Sequence, residues 1–565
     1  MSEINRLEMA RVRLINLKRS RQSLLELATN KVSSNIRFFV QPTERKRLER
    51  LVGPLRDRVL RKLMNIKCHN VSGNMLCFLV VMEALPLLLS THTREFSFDW
   101  LMSLCSQTFW PHYRQEVLRL IVNLAPKIRT LTMNSYSSIL MPVLKPIKRN
   151  LLTPITKMKN LQKLELSTHS ISFESVLRLC KSLRFLQSLS VTELIFEEPQ
   201  QFNIEAIKKQ LSRLRVFKFA IIESQRKYWY TLRRICTENL PNLLILVGDV
   251  RISQYYGGYR DMGPECILRG SKTSKLRHLF TSSRQLFATC QSHRLFPDVT
   301  HLMILWERNW NHSELEVKSL LQFTKIECLC FYYVPSSEIF ERFLKTYGRN
   351  LRTLYLMSYN VPTVLTFSAG KLFRFCPKLE TLFMTSQTVF APDQQTIQFF
   401  AELKNFAIYC HTEVSVLSFL SAPKLEKLCL NGNLRLIRDA QKVSTLIAEK
   451  KIFQQLETLE VICCTCSDLG TPTLTGYETI FEFLKDCIAF LPKLDTVVYN
   501  FEYVKMYQLI REIEQEGFGE FPLSPKERMN FAQLKMFGYE DLFPFLCLPG
   551  LDKSKYYSWT FFIGK

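Results

Sequence analysis

Apolar residues recur along most of the chain in the pattern L-x-x-L-x-L. Nine clear copies begin at Leu161, Leu186, Leu214, Ile326, Leu351, Leu379, Leu403, Leu425 and Leu456. Looser copies begin at Ile128, Leu243, Leu276, Val299, Leu494 and Leu534, which gives about 15 units with a mean spacing of about 29 residues. Side chains alternate between the two faces of a β-strand, so each copy predicts a short strand with one buried face.

The stretches between the copies carry apolar residues at helical spacing, as in the segments from Phe173 to Leu183 and from Ser337 to Tyr347. Strand and helix in alternation predict an α/β fold, in which successive units stack into a solenoid with a parallel sheet. An ordinary multi-domain α/β enzyme is the alternative.

Two copies extend the phrase by a polar residue that often turns the chain after the strand. Asn433 follows the copy that begins at Leu425, and Cys464 follows the copy that begins at Leu456. This pattern resembles the leucine-rich repeat family. The resemblance implies a horseshoe, with the parallel sheet on the concave face and helices on the convex face. Other units depart from it, since Gln387 and Tyr136 occupy the turn position there.

The first 85 residues lack the repeat and are strongly basic, with 17 Lys/Arg against 6 Asp/Glu between residues 1 and 70. Two helices are predicted here. The first opens with a capping box formed by Ser23 and Glu26, and its apolar stripe consists of Leu24, Leu27, Ala28 and Val32. The second follows Pro54 and carries Leu55, Val59 and Leu60. We therefore predict a helical region over residues 1–85, repeats over 86–545 and a tail or cap over 546–565.

This helix pair resembles the elongin-binding box and the cullin box of von Hippel–Lindau-box receptors, most closely their zyg-type members with leucine-rich repeats. Ser23, Leu24 and Val32 match the elongin-binding box, while Ala28 replaces its cysteine. Pro54 and the aliphatic residues after it match the cullin box, although Gly53 replaces an apolar residue. The resemblance implies an elongin C adaptor and a cullin as partners. The second helix also resembles the start of an F-box, which would bind a Skp-type adaptor.

The remaining alternative is that these helices only cover the hydrophobic end of the repeat array, as terminal units must. A protein of either box type would be a substrate-recognition subunit of a cullin–RING ubiquitin ligase. A helical cap would instead indicate a protein-binding scaffold without a ligase role.

Composition and motifs favour a non-catalytic, intracellular protein. The chain holds only 17 glycines in 565 residues, and it contains none of the glycine-rich phosphate loops or nucleophile motifs of common enzymes. Cys463 to Cys466 lack the second ligand pair that a zinc site needs. Cys410 and His411 are neighbours in a predicted strand, so their side chains should point to opposite faces. The charged N-terminus is no secretory signal, and the apolar run from Met75 to Leu89 is too short to span a bilayer. We expect no cofactor, no metal, no membrane partner, free buried thiols, and a cytoplasmic or nuclear location.

The target-binding surface is expected on the concave face of the sheet, beside the last leucine of each copy. Five aromatic residues occupy such positions and are predicted to be exposed there: Phe280, Tyr332, Tyr355, Phe383 and Tyr409. Aromatic side chains are enriched among interface anchors, so we predict that they dock a target protein. The alternative is that long loops cover these rings, and the segment from Trp306 to Glu314 is a candidate cover.

The net charge of +25 also allows a basic solenoid that binds nucleic acid. The densest basic runs are KPIKRN, from Lys145 to Asn150, and ERKRLER, from Glu44 to Arg50. Because the other lysines and arginines are spread over helix and loop segments, the sequence favours a protein partner over nucleic acid.

Overall fold

The structure of the protein is a computed structural model. It describes residues 24–65, 75–104, 110–133, 146–198, 200–251, 273–282, 292–306, 314–332, 336–357, 365–385, 388–391, 400–410, 417–432, 440–463, 483, 486–487, 490–494 and 496–501. For some of these residues only the backbone is described. The described residues form two compact units, the first ending at Leu276 and the second beginning at Arg277.

The first unit begins with helices and continues with a parallel sheet. Its helices are α1 (Leu24–Ser34), α2 (Ile36–Phe39), α3 (Arg45–Glu49), α4 (Gly53–Asn65), α5 (Met75–Leu88), α6 (Phe98–Ser103), α7 (Trp110–Leu124), α8 (Arg149–Lys157), α9 (Phe173–Ser182), α10 (Ile204–Leu211) and α11 (Arg226–Asn239). Its strands are β1 (Glu95–Ser97), β2 (Thr130–Met133), β3 (Lys163–Ser172), β4 (Ser188–Ile195), β5 (Val216–Ile222) and β6 (Ile245–Arg251). The strands pair in chain order, all parallel.

The second unit has the same construction. Its strands are β7 (His278–Ser282), β8 (His301–Leu305), β9 (Cys328–Tyr332), β10 (Thr353–Met357), β11 (Leu365–Ser368), β12 (Thr381–Thr385), β13 (Thr388–Ala391), β14 (Asn405–Cys410), β15 (Lys427–Gly432), β16 (Thr458–Cys463) and β17 (Thr496–Phe501). Its helices are α12 (Ser292–Leu295), α13 (Glu314–Leu320), α14 (Ser337–Tyr347), α15 (Ala369–Phe375), α16 (Leu417–Leu420) and α17 (Ala440–Ala448). β11 and β13 form a separate parallel pair, and the other strands pair in chain order, all parallel.

The predicted α/β class and the parallel sheet are confirmed. Each repeat phrase from Ile128 to Leu494 contains the start of a strand. The phrase at Leu534 lies outside the described residues, and so do the turn positions Tyr136, Gln387, Asn433 and Cys464. The second and third apolar positions are buried, as at Leu354 and Leu356. Burying a leucine stabilises the fold by roughly 1.5–3 kcal/mol, so each repeat contributes directly to the core.

Side-chain caps fix where several helices begin. The backbone N–H of Ser175 donates to Ser172 Oγ at the start of α9, and that of Ile339 donates to Ser336 Oγ at the start of α14, each over 3.2 Å. Such caps satisfy one of the N–H groups that the first turn of a helix leaves free. The starts of these two helices therefore follow from local sequence.

Each sheet has a helix face and a far face, which we define by the packing of Phe331. Its ring in β9 contacts Phe340 and Phe343 of α14, with ring centroids 5.8 Å and 5.2 Å apart. The leucines that share the side of Phe331 form the helix face. The residues between them, Cys330 in β9 and its register partners, form the far face.

Candidate protein-binding site

The two predicted adaptor helices are present and pack against each other. They are α1 and α4, and α4 also packs on α5. Arg56 supports the turn between α3 and α4, since its Nε donates to the carbonyl of Leu51 over 2.7 Å and its Nη2 to the carbonyl of Glu49. These contacts hold the residues of both boxes within one helical region.

The residues of the first box lie on α1. Ala28 is exposed and Val32 is half-buried. Ser23 lies outside the described residues, and so do the side chains of Leu24 and Leu27. Ala28 is therefore the described box residue that a partner can reach most directly.

The residues of the second box divide into an accessible start and a buried end. Pro54 is exposed and Leu55 is half-buried, whereas Val59 and Leu60 are buried at 2% and 0% exposure. Gly53, which departs from the box pattern, lies against His92, and a Cβ at this position would come within 2.3 Å of His92 Nδ1. A side chain at this position would therefore require the exposed His92 ring to move.

The helical region also exposes several large apolar side chains. They are Leu25 in α1, Phe38 in α2, Val52 just before α4, and Leu79 in α5, exposed by 37%, 46%, 61% and 40%. These helices belong to one packed group, because α1 contacts α2 and α4, and α5 contacts α2, α3 and α4. The sequence pattern indicated the apolar stripe that begins at Leu24. It did not single out Val52, because this residue precedes the predicted second helix.

The five aromatic residues predicted for target binding all lie on the far face of the second sheet. Phe280, Tyr355 and Phe383 belong to one row of register partners, with Met303, Cys330 and Ala407 between and beside them. Tyr332 and Tyr409 stand two residues further along their strands, so they share that face.

The prediction that these rings are exposed is wrong for Tyr355 and Phe383. They are 0% and 3% exposed, and their ring centroids lie 6.1 Å apart. Their row neighbours Met303, Cys330 and Ala407 are also buried. The rings and their small or apolar neighbours thus form a packed layer, which keeps a large apolar area out of water. The side chains of Phe280, Tyr332 and Tyr409 lie outside the described residues.

The segment that was proposed to cover this face, from Trp306 to Glu314, starts on the opposite side of the sheet. Trp306 is 1% exposed and packs edge-on against Phe343 of α14, which places it in the helix layer. Glu314 begins α13 and forms a two-pronged ion pair with Arg342 at 2.8 Å. Residues 307–313 lie outside the described residues.

The far face of the first sheet is buried too, but it is charged. Lys163 Nζ lies 2.8 Å from Glu165 Oε1, and each side chain is only 7% exposed. Glu165, Ser190 and Lys218 are register partners across β3, β4 and β5, and all three are buried. This row places ionisable side chains away from water.

Two histidines on β7 and β8 stack face to face on the far face of the second sheet. The ring centroids of His278 and His301 are 4.1 Å apart at an interplanar angle of 7°. Burial, and then the charge of the neighbouring Arg277, lower the pKa of His301 from 6.5 to about 4. His301 Nδ1 also lies 2.8 Å from Thr300 Oγ1. His301 is therefore neutral in the folded protein at neutral pH.

We expect acid to destabilise the second unit through His301. The unfolded chain binds a proton near pH 6.5, whereas the folded chain binds it only near pH 4. The contribution of His301 is thus complete above pH 6.5 and is lost as the pH falls towards 4. Thermal melting at pH 7.5 and pH 5 should show a lower Tm at pH 5, and a smaller difference for His301→Gln. Equal pH dependence in the two proteins would contradict this role.

Most of the cysteines with described side chains are buried in the core. Cys180, Cys236, Cys328, Cys330, Cys376 and Cys487 are free and buried, while Cys77 is exposed. Burial raises the pKa of the Cys180 and Cys376 thiols to about 12, so they stay protonated at neutral pH. Cys464, Cys466 and His411, which the sequence brought into question as ligands, lie outside the described residues.

Within the described part of the chain, no group of three or more His, Cys, Asp or Glu side chains is arranged to hold a metal ion. None of the helices in the described ranges combines the length and the apolar character that crossing a membrane requires. The sequence matches no protein-family model and no curated protein.

Proposed function

We propose that the protein is a leucine-rich-repeat substrate receptor of a cullin–RING ubiquitin ligase. In this proposal the parallel units form a horseshoe, the N-terminal helices bind an elongin C or Skp-type adaptor with its cullin, and the repeats bind a target protein. The chain itself catalyses nothing and positions the target for ubiquitin transfer. Its compartment would be the cytoplasm or the nucleus, where these ligases act.

The observation that carries the proposal is the helix pair ahead of the repeats. α1 and α4 pack together ahead of the first strand, with α5 between α4 and that strand, and they follow the order of the elongin-binding and cullin boxes. Their accessible surface includes Ala28 and Pro54 from the boxes, together with Leu25 and Val52. These exposed apolar side chains are the surface that the proposal assigns to the adaptor.

The burial of Val59 and Leu60 supports a second candidate, in which α4 is a cap of the repeat array. Both residues lie in the helix core, together with Leu63. A scaffold without ligase function needs only this cap. The two candidates differ in the role of the exposed residues Ala28 and Val52. They contact an adaptor in the first candidate and have no partner protein in the second.

For the target surface we propose the far face of the second sheet around Phe280, Tyr332 and Tyr409. Tyr355 and Phe383 support this surface from within and are not contact residues, since they are buried. The target class is a folded protein or peptide that an aromatic surface can anchor.

The adaptor proposal predicts the behaviour of one double variant. Ala28→Arg with Val52→Asp should weaken binding to purified elongin B–elongin C or to a Skp-type adaptor about tenfold or more, because it places charge in an apolar interface. Size-exclusion chromatography of the mixed proteins measures the complex. Ile204→Asp is the matched control, since Ile204 is an exposed aliphatic residue of α10, 44% exposed.

The control should bind the adaptor as the wild type does, and both variants should keep the wild-type Tm. If neither adaptor co-elutes with the wild-type chain, the ligase proposal is wrong and the cap is the function of these helices.

A further inference from the structure

In the first unit, the segments that connect helices to strands bring lysines and arginines together at the N-terminal ends of the strands. Segments 125–129, 157–162, 181–187 and 208–215 end helices α7–α10 and lead into strands β2–β5. They contain ten lysines and arginines and no aspartate or glutamate. In a parallel sheet all such segments lie on the same side, at the N-terminal ends of the strands. We call the exposed cations of these four segments the basic edge.

Backbone hydrogen bonds tie the four segments into one continuous surface. Gln162 N–H donates to the carbonyl of Arg129, Gln187 N–H to that of Gln162, and Arg215 N–H to that of Gln187, over 2.7–2.8 Å. Neighbouring strands are about 4.8 Å apart, so the four segments lie within about 15 Å. The surface is thus ordered by the sheet itself.

The cations of the basic edge are exposed and have no counter-ion among the described residues. Lys208 pairs with Glu205 at 2.7 Å, and the other nine lysines and arginines form no ion pair with the described part of the chain. Helix C-termini favour cations in their last turn, which accounts for Lys157 and Lys181. Six others lie beyond the helix ends: Lys127, Arg129, Lys159, Arg184, Arg213 and Arg215.

The second unit shows that this edge does not need excess charge to fold. There the corresponding segments mix cations and anions, which pair with each other. Lys325 lies 2.6 Å from Asp298, and Lys424 lies 2.7 Å from Glu402. Arg352 lies 2.8 Å from Glu380. The same construction is therefore electrostatically compensated in one unit and uncompensated in the other.

An aromatic ring stands in the middle of the basic edge. Phe185 follows Arg184 and is 57% exposed. Leaving a phenylalanine ring in water forgoes the free energy that its burial would contribute. The exposed amides Gln162 and Gln187 occupy the row between Arg129 and Arg215. Cations for phosphates, a ring for stacking and amides for base edges are the three parts of a single-strand binding surface.

We propose that the basic edge binds single-stranded nucleic acid. The six cations contact consecutive phosphodiesters, and one base stacks on Phe185. An acidic peptide would satisfy the cations but would leave the exposed ring and the row of amides without a role. This inference is independent of the ligase proposal.

Fluorescence anisotropy of the full chain with labelled U20 and dT20 oligonucleotides, over a range of KCl concentrations, tests the proposal. Arg184→Ala with Arg213→Ala should reduce the slope of log K against log salt by about 1.4, since each lost phosphate contact on a single strand removes about 0.7. Phe185→Ala should weaken binding about tenfold at constant slope, and Phe185→Trp should restore it.

The matched control is Arg349→Ala with Lys378→Ala, which removes two exposed cations from the corresponding edge of the second unit. It should leave affinity and slope unchanged. Binding of U20 or of dT20 with these dependences supports the proposal, and the preferred oligonucleotide identifies the nucleic acid. Equal loss in both double variants would refute the assignment to the basic edge. Binding of neither oligonucleotide at about 50 mM KCl, whether or not polyglutamate binds, would also overturn it.

Arg184→Ala with Arg213→Ala changes exposed side chains only and should keep the wild-type Tm. Arg129→Ala provides an independent variant at the other end of the basic edge, with an expected slope change of about 0.7.

Discussion

Replacing Tyr355 by alanine is expected to lower the free energy of unfolding of the second unit by about 3–5 kcal/mol. The ring is completely buried on the far face and contacts the ring of Phe383. Its removal leaves a cavity between Cys330 and Phe383, which are its register partners on the two neighbouring strands. Denaturant unfolding followed by circular dichroism measures the change.

Tyr355→Phe keeps the ring and should cost much less than Tyr355→Ala. Phe185→Ala is a second control, because Phe185 is exposed and its truncation should change stability by less than about 0.5 kcal/mol. If Tyr355→Ala instead retained wild-type stability and lost target binding, the ring would contact the target. The conclusion that Tyr355 is a buried core residue would then be wrong.

Replacing Glu165 by leucine is expected to cost the first unit about 3–5 kcal/mol, because it removes one partner of a buried ion pair. Lys163 would stay at 7% exposure without the carboxylate that lies 2.8 Å away in the native protein. Thermal melting of the full chain should show the loss.

The double variant Lys163→Met with Glu165→Leu removes both charges and should recover most of the stability, since apolar pairs of similar size often replace buried ion pairs at little cost. A double variant no more stable than Glu165→Leu would show that Lys163 is stabilised mainly by other groups.

The repeat phrases predicted the fold well, because they depend on local pattern. Leu164 and Leu166 face the helices for the same reason that Leu354 and Leu356 do: the strand alternates and one side must be buried. The helix from Ser337 to Tyr347 was also predicted with its bounds, since Ser336 caps it.

The far faces could not be predicted from one strand at a time. The aromatic residue Tyr355 sits at a position that alternation assigns to solvent, yet the row across β8 to β14 is packed and buried. The basic edge was missed for a related reason. Arg129, Arg184 and Arg215 are far apart in sequence, and only the parallel register places their segments side by side.

The box residues show the same limit within helices. The pattern predicted an apolar stripe that includes Val59, with Leu60 beside it. It could not predict whether these residues pack on the protein's own α5 or on a partner. Burial assigns both residues to the protein's own core. The accessible residues near the helix pair include Ala28 and Pro54 from the boxes, and Leu25 and Val52, which the pattern did not single out.

Affinity purification of the full chain from cells tests the central claim most directly. The ligase proposal predicts that a cullin and either elongin C or a Skp-type adaptor co-purify with the wild type and with Ile204→Asp, and are lost from the variant that combines Ala28→Arg and Val52→Asp. Recovery of the wild-type chain without any cullin, or recovery of the cullin with the double variant, would contradict it.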